Sequence, residues 1–312
     1  MRPPFEPSRV REGLLTPGQP WRAVRFHAET PSTNDVAREL VAAYAADPGG
    51  APDPGWYVVV TDHQTGGRGR RGRAWEVPAG AAIAVSAVVP LQGAARVASA
   101  AWLPLCAGLA VLRAIRQVTQ AAGHELTPTL KWPNDVLLGA DDDRKVSGIL
   151  CELVSLGAPL GAAGGAGGET AAAVVVGVGV NVDQTRAELP VDTATSLALA
   201  GVSVRRETLV VAYLRELGAL LGSAAVERRV HEGRPPYAAS SDLERVVRGA
   251  YEAACSTIGV RVRVHLPGGA LVEGEAVGLD RSGALVVSTS TGRRSFSAGD
   301  VVHVRRPDGG LA

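Results

Sequence analysis

Lysine is nearly missing from this chain: among 32 basic residues only Lys131 and Lys145 are lysine, and every other is arginine. A coding bias accounts for a general depletion, but not for two survivors standing fourteen positions apart. Lysine supplies a compact ammonium on a flexible stem, which arginine cannot. Both are therefore candidate functional residues, with chance as the competing account. Aromatic residues are also scarce, at 4%, so the chain has no cluster of rings of the kind that stack nucleic-acid bases. Charge of one sign is lacking, since the formal net charge is +1. No global field then draws the protein to nucleic acid or to an anionic membrane. Only three cysteines occur, Cys106, Cys151 and Cys255, far apart and in apolar surroundings. That spacing argues against a disulfide framework or a metal cluster and fits buried thiols in a reducing compartment. The first residues, MRPPFEPSRVREG, lack an apolar signal core, and no later apolar run is long and uninterrupted enough to suggest a bilayer span. A soluble, cytoplasmic protein is expected.

What is present centres on residues 61–76, TDHQTGGRGRRGRAWE. An apolar run over 56–60 leads into a loop where Gly66, Gly67, Gly69 and Gly72 alternate with Arg68, Arg70, Arg71 and Arg73. Glycines let the backbone turn its amides toward a ligand at close range, and guanidiniums make charge-assisted bonds to phosphate or carboxylate oxygens. Such a loop suits a polyanion. Taken alone, it is equally a solvated basic loop or an arginine-glycine segment for nucleic acid.

With 312 residues the chain accommodates one large domain and a small one. Residues 1–20, rich in proline and charge, are expected to form a flexible extension, and 21–26 a first strand. A helix follows, capped by Ser32 or Thr33, with Asp35 in its first turn and Val36, Ala37, Leu40, Val41 and Tyr44 on one face. Ser32, Thr33 and Asn34 place hydroxyls and an amide beside free helix amides, which serves either as a cap alone or as a small-ligand site. Strands are expected over 56–61, 75–77 and 83–89, and a long core helix over 99–119. Short strands over 130–132 and 135–138 flank a Pro133-Asn134 turn. Asp141, Asp142 and Asp143 then form a turn, a solvated hairpin in preference to a metal site. A strand over 146–154 precedes a Gly/Ala tract, residues 157–169, expected to be a loop. The run 172–180 is a strand apolar on both faces that stops at Asn181, where α/β proteins tend to place ligands. Helices over 205–221 and 242–258 complete the domain 21–258. Five short strands in the remaining part, 259–306, indicate a small closed barrel.

Four separated segments, with a fifth after them, agree with one pattern. The chain resembles the biotin protein ligases in STN at Ser32 to Asn34, QTGGRGRRGRAW at Gln64 to Trp75, KWPND at Lys131 to Asp135, KVSGIL at Lys145 to Leu150, and VGVGVN ending at Asn181. The resemblance covers residues 24–305. It implies an α+β fold, a mixed sheet flanked by helices, with an SH3-like C-terminal β-barrel. It implies that MgATP and biotin give biotinyl-5′-AMP, from which a lysine of a biotin carboxyl carrier protein takes the acyl group.

The resemblance assigns biotin to Ser32, Thr33, Asn34, Gln64, Gly67, Arg68, Gly69, Arg70 and Lys131, and ATP to Arg70, Arg71, Arg73, Trp75, Lys145 and Asn181. Simple packing is an equal account of Trp75. Arg68, Arg70, Lys131 and Lys145 are the expected catalytic cations, with Asp135 as the base for the acceptor lysine. Arg305 is a possible carrier or ATP contact. Gly66 stands where alanine is frequent in the family, and Ser147 where alanine or glycine is; both are small. The Pro-rich residues before Ser32 lack two helical periods, so no operator-binding module is expected, and nothing specifies monomer or homodimer. The rival readings are a lipoate-type ligase and a nucleic-acid-binding protein using the arginine loop.

Overall fold

The computed structural model describes residues 2–47, 50–92, 99–139, 143–156, 171–231, 242–266, 269–297 and 300–303. Asp141, Asp142, the Gly/Ala tract and Arg305 lie outside the described residues. Seven strands make the main sheet: β1 (Ala23–Thr30), β2 (Tyr57–Gln64), β5 (Ala82–Gln92), β6 (Pro128–Lys131), β7 (Asp135–Leu138), β8 (Arg144–Leu156) and β9 (Ala171–Asn181). Their order is β1-β2-β5-β9-β8-β7-β6. Only β1 and β2 run parallel; every other pair is antiparallel. Two two-residue strands, β3 (Gly67–Arg68) and β4 (Ala74–Trp75), fold the arginine loop back on itself.

Strand β9 shows why the sheet carries helices on both faces. Successive side chains in a strand point to opposite sides. Ala173 and Val175 pack under α2 (Thr33–Ala46) with Ala37, Val41, Val59 and Val88. Val174, Val176 and Val178 face the larger core, with Leu105, Leu109, Leu112 and Ile115 of α3 (Leu103–Ala121). Behind α3 lie α4 (Arg206–His231) and α5 (Asp242–Ala254). The segment Ala100–Ala121 is long and apolar enough to cross a membrane, but 72% of its apolar window is buried within the fold, as befits a core helix. Ser99–Trp102 forms a 3-10 turn and Pro104 sits in the first turn of α3, where its missing N–H costs nothing.

The N-terminal residues differ from the flexible extension expected. Pro7–Leu14 forms helix α1, whose Val10 and Leu14 are fully buried and which packs on α4. Trp21 precedes β1 rather than starting it; its indole donates to the Leu214 carbonyl at 3.0 Å. Helix α5 stops four residues short of the expected end. Its last turn gives way because Ser256 donates to the Leu130 carbonyl at 2.8 Å, drawing the chain onto β6. Strand β2 runs on to Gln64, so a rigid element delivers that side chain to the loop.

The C-terminal strands β10 (Arg261–His265), β11 (Leu271–Leu279), β12 (Leu285–Thr289), β13 (Gly292–Phe296) and β14 (Asp300–His303) form an antiparallel sheet in the order β13-β12-β11-β10-β14, consistent with a small SH3-like domain. Its turn 280–283 docks on two tryptophans. Trp102 donates to the Arg281 carbonyl at 2.9 Å and Trp132 to the Gly283 carbonyl at 3.0 Å. Gly283 adopts a φ of 78°, which a side chain would resist. Trp132 neighbours Lys131, so this contact braces the turn that presents the lysine.

Candidate active site

One cavity of about 850 Å³ opens on the sheet face beside the N-terminus of α2. Its wall includes Ser32, Thr33, Asn34, Gln64, Arg68, Gly69, Arg70, Arg73, Trp75, Lys131, Asp135, Lys145 and Asn181. Residues as far apart in sequence as Ser32 and Val302 thus meet at one place. Two expected site residues are not part of the wall. Gly67 acts from behind it: a Cβ there would lie 2.4 Å from the Trp75 carbonyl and 2.5 Å from Gln64 Nε2. Arg71, with a φ of 58°, turns to the C-terminal sheet and donates to the His265 carbonyl at 3.3 Å.

At one end polar groups are fixed before any ligand arrives. Ser32 caps α2, its hydroxyl accepting from the Asp35 amide. The Gln64 carbonyl oxygen accepts from the Thr33 amide at 3.0 Å. Asn34 is buried and fully engaged: Nδ2 donates to Glu152 at 2.6 Å and to the Leu150 carbonyl at 3.2 Å, and Oδ1 accepts from Ser86 at 2.6 Å. Arg68 and Arg38 both pair with the Asp35 carboxylate. Burial raises the Asp35 pKa, but hydrogen bonds from Arg68 and Arg38 outweigh it and hold the carboxyl below its usual range.

At the other end two lysines, a carboxylate and an indole converge. Lys145 Nζ lies 2.7 Å from Asp135 Oδ1, close enough for an ion pair without the alignment of a hydrogen bond. The same ammonium sits over the Trp75 ring, 5.6 Å from its centroid. The indole lies across Gly148 and Gly179; a Cβ on Gly179 would come within 2.6 Å of it. Trp75 Nε1 is buried with no acceptor among the described residues. Such a donor is costly to leave unsatisfied, by about 1–3 kcal/mol, and at a cavity wall it points to a ligand acceptor. Asn181 donates to the Thr195 carbonyl at 2.9 Å and accepts from Gln184 at 2.8 Å. Arg70 donates to Asn134 Oδ1 at 3.3 Å, joining the loop to the turn that carries Lys131.

Sequence reasoning missed several residues of the wall. Gly177 and Gly179 clear room for Asn34 and Trp75, and their spacing of two within VGVGVN was the available signal, since it puts both on one face of a strand. Asn134 was read only as a turn residue. Ser86 and the wall segment 190–194 carried no local mark.

The fold is a mixed sheet flanked by helices, with the cavity on one face, joined to a small antiparallel β domain. The Biotin/lipoate A/B protein ligase family matches residues 31–181, and the Biotin protein ligase C terminal domain matches residues 257–304. The chain is 36% identical to the biotin--[acetyl-CoA-carboxylase] ligase of Mycobacterium tuberculosis, over 98% of both chains. It is 32% identical to the ligase of the same name from Paracoccus denitrificans, over 88% of this chain and 98% of that one. The biotin protein ligase of Aquifex aeolicus solved with biotin and ATP shares the fold, with a TM-score of 0.59 and 22% identity over 90% of this chain and 98% of that one. This chain belongs to the biotin protein ligase family.

Proposed function

We infer that this protein is a biotin protein ligase, which joins biotin and ATP into biotinyl-5′-AMP and passes the biotinyl group to a lysine of a biotin carboxyl carrier domain. The observation that carries the reading is the meeting of Arg70, Lys131 and Lys145 on the wall of a single cavity whose α2 end carries Arg68 beside the fixed polar groups of Ser32, Thr33, Asn34 and Gln64. A carboxylate must approach an α-phosphorus, so two anions meet, and preorganised cations in a partly dry site offset that repulsion. Magnesium enters with the nucleotide as the MgATP substrate. Among the described residues no group of three or more His, Cys, Asp or Glu side chains forms a metal cage.

In the first step a biotin carboxylate oxygen bonds to the α-phosphorus, the bond to the bridging oxygen of the β-phosphate breaks, and pyrophosphate leaves. Lys131, at the end of strand β6, bonds the carboxylate, and Arg70 and Lys145 meet the phosphate. Ser32, Thr33, Gln64 and the backbone about Gly67 to Gly69 match a cyclic urea, which has one carbonyl and two N–H groups and must be satisfied at each. In the second step the carrier amine attacks the acyl carbon and AMP leaves. Asp135 takes the amine's proton. Its resting partner is Lys145, so a phosphate that draws the ammonium away frees the carboxylate when the acceptor needs it.

Incubating the protein with biotin, MgATP and a carrier domain is expected to add one biotinyl mass to one carrier lysine. Pyrophosphate release with lipoate but not with biotin would overturn the choice of substrate. The nucleic-acid reading is disfavoured because Arg68 is paired with the Asp35 carboxylate and Arg70 is tied to Asn134, so these guanidiniums are engaged within the fold.

A further inference from the structure

Residues 2–6 run extended along the catalytic domain and are stitched to it at nearly every position. Arg206, itself buried, donates to the Pro3 carbonyl at 2.8 Å. Phe5 stacks on Phe26 with centroids 5.5 Å apart, and the Glu6 amide donates to Glu207 at 2.7 Å. At the head of this arm Arg2 Nη2 donates to the Asp183 carbonyl at 2.9 Å and to Glu188 Oε2 at 2.6 Å. One guanidinium thus holds both ends of the short segment 183–188. Glu188 in turn accepts from the Thr185 amide at 2.9 Å and from its hydroxyl, closing a capping box on the 3-10 turn Arg186–Glu188.

That segment leads directly into the cavity wall. Arg186 donates to the Ala194 carbonyl at 2.6 Å, tying the turn to residues 190–194, which line the site. There the chain grips Lys145: the Lys145 amide donates to the Thr193 carbonyl at 2.8 Å, and the Thr195 amide donates to the Lys145 carbonyl at 2.8 Å. A continuous path of bonds therefore runs from Arg2 through Glu188 and the wall to the backbone of Lys145, which lines the cavity.

We propose that Arg2 is a positioning residue for the nucleotide half of the reaction, fixing the wall 183–195 and with it the placement of Lys145. Biotin's end of the cavity, built on α2 and Gln64, has no bond to this arm among the described residues. The effect of losing Arg2 is consequently one-sided. The inference rests on the adenylating function proposed above.

Steady-state pyrophosphate release tests it, with ATP and biotin varied separately, on Arg2→Ala, Glu188→Gln and the exchanged pair Arg2→Glu/Glu188→Arg. Arg2→Ala should raise the KM for ATP about tenfold, the worth of roughly one charge-assisted hydrogen bond, and leave the KM for biotin unchanged. The exchanged pair should recover part of the loss. Hydrogen exchange on the same proteins should quicken at amides within 183–195 in Arg2→Ala. An unchanged KM for ATP and unchanged exchange at 183–195 would overturn the proposal. So would a parallel rise in both KM values with a lower melting temperature, because that marks a general loss of fold. A wild-type protein that releases no pyrophosphate from biotin and ATP fails in a different place: it overturns the ligase function itself and the inference resting on it.

Discussion

Replacing Gly177 by alanine tests whether the buried network at the head of α2 holds the end of the cavity proposed to take biotin. A Cβ at Gly177 would lie 2.2 Å from Asn34 Oδ1 and 2.9 Å from its Cγ, well inside contact distance. The amide cannot simply swing away, because Ser86, Glu152 and the Leu150 carbonyl hold it on three sides. Relief requires breaking at least the two short bonds. Leaving buried polar groups unpaired costs about 1–3 kcal/mol each, so a loss of about 3 kcal/mol is reasonable. Against it stands the gain from removing a glycine within a strand, about 0.5–1 kcal/mol. The clash wins by about 2 kcal/mol. In a protein of this size that corresponds to a fall of roughly 4 °C in melting temperature. Displacement of Asn34 also moves Thr33 and its bond to Gln64, so biotin affinity should drop about tenfold, or ~1.4 kcal/mol. Thermal melts and biotin calorimetry read the two effects separately. A Gly177→Ala protein with wild-type melting and wild-type biotin affinity would refute the reasoning, since the network would then be soft.

Three further outcomes are expected. Asp135→Asn should slow transfer from purified biotinyl-5′-AMP to the carrier at least about tenfold, as loss of a general base does; an unchanged single-turnover rate would remove that role. Glu188 is held down to about 2, first by its hydrogen bond from Arg2 and then by the Thr185 amide. A depressed carboxyl contributes stability that is present above its unfolded value, about 4.3, and is lost as pH falls toward 2. Glu188→Gln should lack that part of the acid dependence in melts between pH 5 and 2.5, and coincident curves would contradict it. Burial pushes the Cys106 thiol up to about 12, and raises Cys255 and Cys151 as well. A thiol reagent at pH 8 should therefore label the native protein far more slowly than the denatured one, and equal rates would show that these thiols are reachable.

The legible parts of this chain were those whose signal is local. The Ser32 cap, the apolar stripe through Ala37 and Val41, and the unbroken run in β9 each follow from short-range patterning, and each element forms there. The N-terminal arm was opaque for the opposite reason. Proline and charge normally forecast disorder, but the partners of Arg2, the Pro3 carbonyl and the Glu6 amide are 181 to 203 positions away, and no window of sequence contains them. The Asp135–Lys145 pair was hidden by register. A shift between Val136 and Leu137 sets Asp135 opposite Gly148 while Lys145 faces Leu137, and a hairpin count without that irregularity does not bring the two together.

The cavity itself follows from missing side chains as much as from present ones. Asn34 rests on Gly177, the Trp75 indole on Gly179 and Gly148, and the Trp75 carbonyl and Gln64 on Gly67. In each case a polar or aromatic group crosses a position where a Cβ would stand within about 3.3 Å of it. A central strand as apolar as β9 would otherwise present a flat valine surface, as its residues 174–176 do to the core on either side. Two glycines spaced by two open that surface on one face only, beside the mouth of the arginine loop. Lys145 reaches the same opening because Gly148 leaves its ammonium room, 3.0 Å from where a Cβ would be. The charged groups thus gain access to the sheet's interior without breaking its ladder, which stays paired from Ala82 to Gln92 against β9. That combination, an intact rigid sheet with a local notch, lets cationic side chains stand around a pocket that stays open.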